Sequence, residues 1–245
     1  MIEIDKSRFK KDLPVTAFIL VGGIGSRLQS IVSDRPKPMV LINDKPFLSI
    51  LIELIVQQGI KKIVLLTGYL STYIENYISN YNNPDVTILI SKEDVPLGTG
   101  GAVRNALKFV SDFILLVNGD SYFNLNIMKL YNFHLNYKPD VTLSLCKSDN
   151  TERYGTVIVD SIGRIKSFQE KPESLYGPGL INAGFSMLSS QFIESLPSNK
   201  SFSMEKEIFP SLVKTKKIYG VEQPGVFFDI GTPESYFQFV DYYNL

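Results

Sequence analysis

The segment from Ala17 to Met39 constrains the fold most tightly. Five apolar residues, 17–21, run directly into Gly22, Gly23 and Gly25, with Arg27 close behind and Pro36-Lys37-Pro38 eight residues further on. A short apolar run bounded by glycines reads as a buried strand. Glycines at its end allow positive φ and let peptide N–H groups approach an anion with no Cβ in the way. Arg27 adds a planar cationic fork suited to phosphate oxygens. The two prolines stiffen the chain around the single ammonium of Lys37. Strand, glycine loop, arginine and held lysine make a polyphosphate cradle. A dinucleotide fingerprint is excluded, because Leu28 stands where it requires a small residue. A P-loop is excluded because no Gly-Lys-Ser/Thr follows.

The rest of the first half keeps the rhythm of an α/β protein. Apolar runs at 15–21, 61–67, 86–91 and 113–117 read as strands. Segments 47–58, 71–80 and 102–110 read as helices, the first ending at Gly59 and the second starting with Ser71 as N-cap. Short apolar strands alternating with helices imply a parallel sheet covered on both faces. After Asp120 the pattern changes. Strands are expected at 141–145, 155–159, 164–169 and 180–188 with little helix between them, which implies antiparallel additions. A helix is expected at 204–213, strands at 217–221 and 226–229, and a closing helix at 232–243 with Pro233 in its first turn. The expected fold is α/β: a Rossmann-like mixed, mostly parallel sheet flanked by helices, with an antiparallel lobe. Residues 1–14 form an N-terminal extension. Residues 15–245 form a single domain, with 15–120 as one lobe and 121–245 as the other.

Composition narrows the chemistry. The 245 residues carry 25 acidic and 25 basic side chains, so no electrostatic reason favours nucleic acid or an anionic membrane as partner. One cysteine, Cys146, excludes an internal disulfide and fits a reducing compartment. One histidine, His134, argues against a histidine-built metal site or a serine-hydrolase triad. The first residues lack an apolar signal core and no stretch reaches the length of a membrane span. A cytoplasmic location is the expectation. The tyrosines at 236, 242 and 243 read as packing residues, with a homo-oligomeric interface left open.

Asp120 follows a strand and a glycine, where open α/β sheets place their ligands. A carboxylate there, beside a triphosphate, suits Mg²⁺, which takes one or two carboxylates and completes its shell with phosphate oxygens. Asp229 lies in an apolar run, Phe227-Phe228-Asp229-Ile230-Gly231, where an unpaired charge is costly and a cation would relieve it. Glu170-Lys171-Pro172 again puts a lysine beside a proline, a point charge for a second phosphate. Gly98, Thr99, Gly100 and Gly101 precede an expected helix, where N–H groups face a base or a phosphate.

Gly-Gly-x-Gly-Ser-Arg-Leu followed by Pro-Lys-Pro-Met resembles the signature of the sugar-1-phosphate nucleotidylyltransferases, with Ser26 where that family usually has Thr. The resemblance covers residues 15 to about 243, with motifs in family order. It implies a nucleotide-diphospho-sugar transferase fold and attack of a sugar 1-phosphate on the α-phosphorus of a nucleoside triphosphate. It implies Arg27, Lys37, Asp120, Lys171 and Asp229 as catalytic residues, with Asp120 and Asp229 as Mg²⁺ ligands. The nucleotide would lie on Leu20, Gly22, Gly23, Gly25, Ser26, Arg27 and Lys37, with its base near Glu93, Gly98 and Thr99. The sugar phosphate would lie on Tyr154, Gly155, Glu170, Lys171 and Asn182. Within the family, EDVPLGTGG (93–101), RYGTV (153–157) and the segment 202–209 are similar to the D-glycero-α-D-manno-heptose 1-phosphate guanylyltransferases of surface-polysaccharide synthesis. That implies GTP and a heptose phosphate as substrates. Mannose or another hexose 1-phosphate with GTP, UTP, CTP or dTTP stays open, as does a non-catalytic regulatory subunit. The intact charged set argues against the last.

Overall fold

The computed structural model describes residues 12–23, 28, 35–170 and 177–244. In chain order the elements are β1 (Val15–Leu20), β2 (Leu41–Ile42), β3 (Lys45–Pro46), α1 (Phe47–Gln57), β4 (Lys62–Thr67), α2 (Ser71–Ser79), β5 (Thr87–Lys92) and α3 (Gly98–Asn105). There follow β6 (Phe113–Asn118), β7 (Ser121–Phe123), α4 (Ile127–Tyr137), β8 (Val141–Ser148), β9 (Gly155–Val159), β10 (Ile165–Glu170) and β11 (Gly179–Ser189). The chain ends with α5 (Ser190–Ser195), a π-type turn (Met204–Ile208), α6 (Phe209–Thr215), β12 (Ile218–Glu222), β13 (Phe227–Asp229) and α7 (Pro233–Tyr243).

The main sheet has nine strands among the described residues and runs β10-β9-β11-β6-β1-β4-β5, with β8 on β11 and β12 on β8. Its first part is parallel: β1 pairs with β4 and β6, and β4 with β5. β11 then joins β6 antiparallel, and β8, β9 and β10 extend from it antiparallel. The expected mixed architecture is the observed one, and the antiparallel part continues the same sheet.

The central strands read as unbroken apolar runs because both faces are buried. In β1, Ala17 and Ile19 join one core cluster and Phe18 joins the other. In β6, Leu115 and Val117 face one way, Ile114 and Leu116 the other. The first cluster packs under α1 and α7 through Phe47, Leu48, Leu51 and Phe239. The second includes Phe168, Phe209 and Leu143. α1 stops where Gly59 takes φ +91°, which a side chain would resist. α7 opens with Pro233 and a Thr232–Ser235 capping box.

Two expectations are corrected. The helix expected at 102–110 begins at Gly98 and continues only as a short 3₁₀ turn over Leu107–Phe109. The glycines sit inside α3 because Phe202 packs on them: a Cβ on Gly100 would lie 2.1 Å from the Phe202 ring. Ser71 is the first helical residue of α2, not its cap; Leu70 holds that place with φ +53°. The stretch between Asp120 and β8 carries a full helix, α4, whose buried Ile127, Leu130 and His134 recur at helical spacing. Its Asn126 cap accepts a hydrogen bond from the Lys129 N–H. No helix among the described residues is long and apolar enough to cross a membrane.

Candidate active site

The carboxyl ends of β1, β4, β5 and β6 open onto one cleft of about 800 Å³. That is enough for a ligand of nucleotide-sugar size. Parallel strands bring their ends level, and close backbone contacts hold them there. The Gly119 N–H donates to the Leu20 carbonyl at 3.0 Å, and the Val21 N–H to the Leu66 carbonyl at 3.0 Å. Gly119 is required for this approach, since a Cβ would lie 2.3 Å from the Leu20 oxygen. Asp120 follows directly and projects from the end of β6.

Asp229 reaches the same place by a second route. β13 pairs antiparallel with β7, setting Asp229 opposite Ser121, and the Ile230 N–H donates to the Asp120 carbonyl at 2.9 Å. The ladder joins two carboxylates far apart in sequence. Lys37 lies between them, its Nζ 2.5 Å from Asp120 Oδ2 and 3.7 Å from Asp229 Oδ1. The Gly231 N–H holds Asp229 Oδ1 at 2.6 Å. Arg153 closes the row, Nη2 standing 3.6 Å from Asp229 Oδ2 and the guanidinium 5.8 Å over the Tyr154 ring. Its Nε and Nη2 are buried with no hydrogen-bond acceptor among the described residues.

The two acids titrate apart. Burial alone would raise Asp120, but the charge and hydrogen bond of Lys37, helped by Ser121, hold it below the usual carboxylate range. Asp229 is pushed up, first by burial and then by the charge of Asp120, against the pull of Lys37 and Arg153. Leu20, Gly22 and Gly23 line the same cleft.

One end of the cleft carries Glu93, Gly98 and Thr99. Glu93 Oε2 accepts from the Leu97 N–H at 3.1 Å, and burial raises its pKa against that bond. The Thr99 hydroxyl donates to Glu205 Oε2 at 2.7 Å and accepts from the Met204 N–H at 2.8 Å, so it fastens α3 to the π-type turn. At the other end stand Tyr154, Gly155, Glu170, Asn182 and Phe227. Gly155 has no space for a side chain: a Cβ would lie 2.9 Å from Phe168 and 3.1 Å from Glu170 Oε2. Asn182 Oδ1 accepts from the Gly184 N–H at 3.2 Å, which fixes the amide.

One cleft therefore collects Leu20, Gly22, Gly23, Lys37, Glu93, Gly98, Thr99, Asp120, Tyr154, Gly155, Glu170, Asn182 and Asp229. Gly25, Ser26, Arg27 and Lys171 lie outside the described residues. Arg153 opens the RYGTV segment that carried the resemblance, but it was given no site role of its own. Ser203, Glu205 and Lys206, which reach the cleft wall from the π-type turn, lie in the segment 202–209 that carried the resemblance but were given no site role. His134 and Cys146 are buried and do not line the cleft. His134 Nδ1 meets Thr142 Oγ1 at 2.8 Å, and both residues are buried.

Comparison with known proteins gives the same account of the chain. The family model described as Nucleotidyl transferase matches residues 16–244. The D-glycero-alpha-D-manno-heptose 1-phosphate guanylyltransferase of Aneurinibacillus thermoaerophilus is 38% identical over 222 residues, covering 90% of this chain and 94% of the relative. The protein of the same name from Campylobacter jejuni is 38% identical, covering 91% and 98%. Among solved structures, HddC from Yersinia pseudotuberculosis superposes with a TM-score of 0.83 at 35% identity, covering 93% of this chain and 99% of that one. HddC complexed with GMP-PN gives 0.81 at 34% identity, with the same coverage. The chain belongs to the nucleotidyl transferase family.

Proposed function

We propose that this protein transfers GMP from GTP to D-glycero-α-D-manno-heptose 1-phosphate, forming GDP-heptose and releasing pyrophosphate. The observation that carries the reading is the row Asp120–Lys37–Asp229 at the carboxyl ends of the parallel strands. The choice of sugar and base is supported by the two relatives at 38% identity and by the HddC complex with GMP-PN. Guanine presents an N–H and an NH₂ donor on one edge. Glu93, with Oε2 held by Leu97, supplies a fixed carboxylate for that edge.

Both substrates are anions, so the protein's task is to neutralise and align them. An oxygen of the sugar 1-phosphate attacks the α-phosphorus. The bond from that phosphorus to the bridging oxygen breaks, and pyrophosphate leaves. A phosphate monoester is already nucleophilic at neutral pH, and no side chain need remove a proton. Lys37 sits on the phosphate undergoing substitution. Arg27 and the glycine loop take the leaving pyrophosphate, and Lys171 takes the attacking phosphate. Asp120 and Asp229 would hold Mg²⁺. Their donor set fits: two carboxylates joined by one ladder, with no group of three His, Cys, Asp or Glu side chains among the described residues to complete a protein cage. Phosphate oxygens and water then fill the shell, as Mg²⁺ favours. When bound, the ion would neutralise phosphate charge and orient the two substrates.

The test is pyrophosphate release with Mg²⁺, using GTP, UTP, CTP, dTTP and ATP against heptose, mannose, glucose and N-acetylglucosamine 1-phosphates. Release confined to GTP with the heptose phosphate is expected. Release with another pair would move the substrate assignment and keep the chemistry. Folded protein that binds nucleotide and releases nothing would defeat the reading.

A further inference from the structure

We propose that Tyr69 is the stacking platform for the nucleotide base, resting on the reading of the cleft as a nucleotide site. Tyr69 lines the cleft, and 47% of it is open to solvent. Among the described contacts its ring packs on no other aromatic or cation, and its hydroxyl has no partner. Exposed tyrosines are ordinary on a surface; this one is held in place. Its N–H donates to the Gly22 carbonyl at 3.4 Å, which ties it to the phosphate-binding strand end. Gly68, just before it, lies against the Glu93 carboxylate, where a Cβ would stand 2.6 Å from Oε1. Leu70, just after it, is held at φ +53°, a conformation costly for a leucine. The loop is clamped on one side and strained on the other, and it presents an exposed ring to the cleft one residue after the glycine that meets the carboxylate assigned to the guanine edge. The same end of the cleft carries Val95, 62% exposed. An exposed ring, and an exposed methyl pair close in sequence to the Glu93 carboxylate, suit a flat heterocycle and not a phosphate.

Stacking tolerates any base, whereas the Glu93 edge selects one, and the two roles therefore separate in a binding experiment. Tyr69→Ala should weaken GTP binding on the order of 5- to 150-fold. Tyr69→Phe and Tyr69→Trp should restore it. Binding of inorganic tripolyphosphate, which has no base, should not change in any of the three. The measurement is titration calorimetry on the purified full chain with each ligand, with pyrophosphate release as a second readout.

Unchanged GTP affinity in Tyr69→Ala would overturn the stacking role and leave the GTP reading intact. Equal loss of GTP and tripolyphosphate would overturn it too, because the residue would then serve the loop and not the base. If the wild-type chain prefers another nucleoside triphosphate, the GTP assignment falls, and the same three variants tested with that nucleotide decide the stacking role.

Discussion

Lys37 does two jobs in the proposed mechanism, and replacing it by methionine separates them. In the absence of ligands its ammonium is the counter-charge between two carboxylates, 2.5 Å from Asp120 and 3.7 Å from Asp229. Methionine keeps the apolar stem and deletes the charge, leaving the two acids facing each other with Arg153 as the nearest cation of the row. Removing one partner from a buried ion pair costs about 3–5 kcal/mol. The Lys37 side chain is 10% exposed, but that of Asp120 is 37% exposed and partly solvated. Screening reduces the expected loss to about 2–3 kcal/mol. For a chain of this size that corresponds to a fall in Tm of about 5–10 °C. The assay is thermal and urea unfolding of Lys37→Met and wild type, first in EDTA and then with excess magnesium. Magnesium should supply part of the missing charge and stabilise the variant more than the wild type. Turnover should fall on the order of 100-fold or more in either condition, since the ammonium on the reacting phosphate is gone. Variant and wild type melting together in EDTA would refute the charge argument. An equal magnesium effect on both would leave that argument standing and remove the metal from between the two aspartates.

Two further outcomes follow from single groups. Asp120→Asn keeps the shape of the side chain and loses its charge; pyrophosphate release should slow by roughly 10³-fold or more, and near-normal turnover would defeat the assignment. Burial lowers the His134 pKa from 6.5 to about 4. The unfolded chain therefore takes up this proton first, so stability is complete above pH 6.5 and drains away as pH falls toward 4. The full effect is about 3 kcal/mol. Urea unfolding from pH 7 to pH 4 should show that slope in wild type and a shallower one in His134→Gln; parallel curves would count against it.

What could be read from sequence follows the range of the forces involved. β1, β4 and β6 stood out as apolar runs because both of their faces are buried, so no polar residue interrupts them. α1 and α7 announced their ends through Gly59 and through Thr232 with Pro233. Asp120 and Asp229 stood out by type and place, each an acid at the end of an apolar strand. Their meeting was implied only by the family resemblance; no local pattern shows it. β7 and β13 are three residues long, too short to show a period, and their pairing is non-local. The start of α3 was hidden because a run of glycines looks like a loop; only the ring of Phe202, a hundred residues later, makes those glycines a helix surface. α4 was given no bounds because polar residues outnumber its three buried positions.

The ladder that joins the aspartates also explains the aromatic face of α7. Asp120 belongs to the main sheet, but Asp229 belongs to a two-stranded ribbon, which is marginal by itself. α7 supports it. Phe239 packs edge-on against Phe228 at 5.3 Å and against Tyr122 at 5.1 Å, and Tyr242 meets Phe228 at 5.0 Å. Those rings lie on β7 and β13, one residue beyond Ser121 and one before Asp229. The Tyr236 hydroxyl ties the same helix to the Leu41 carbonyl at 2.7 Å, a few residues beyond Lys37. The closing helix thus braces both the ribbon bearing Asp229 and the segment leading out of Lys37. The separation of the two acids and the placing of the ammonium between them depend on apolar packing behind the cleft.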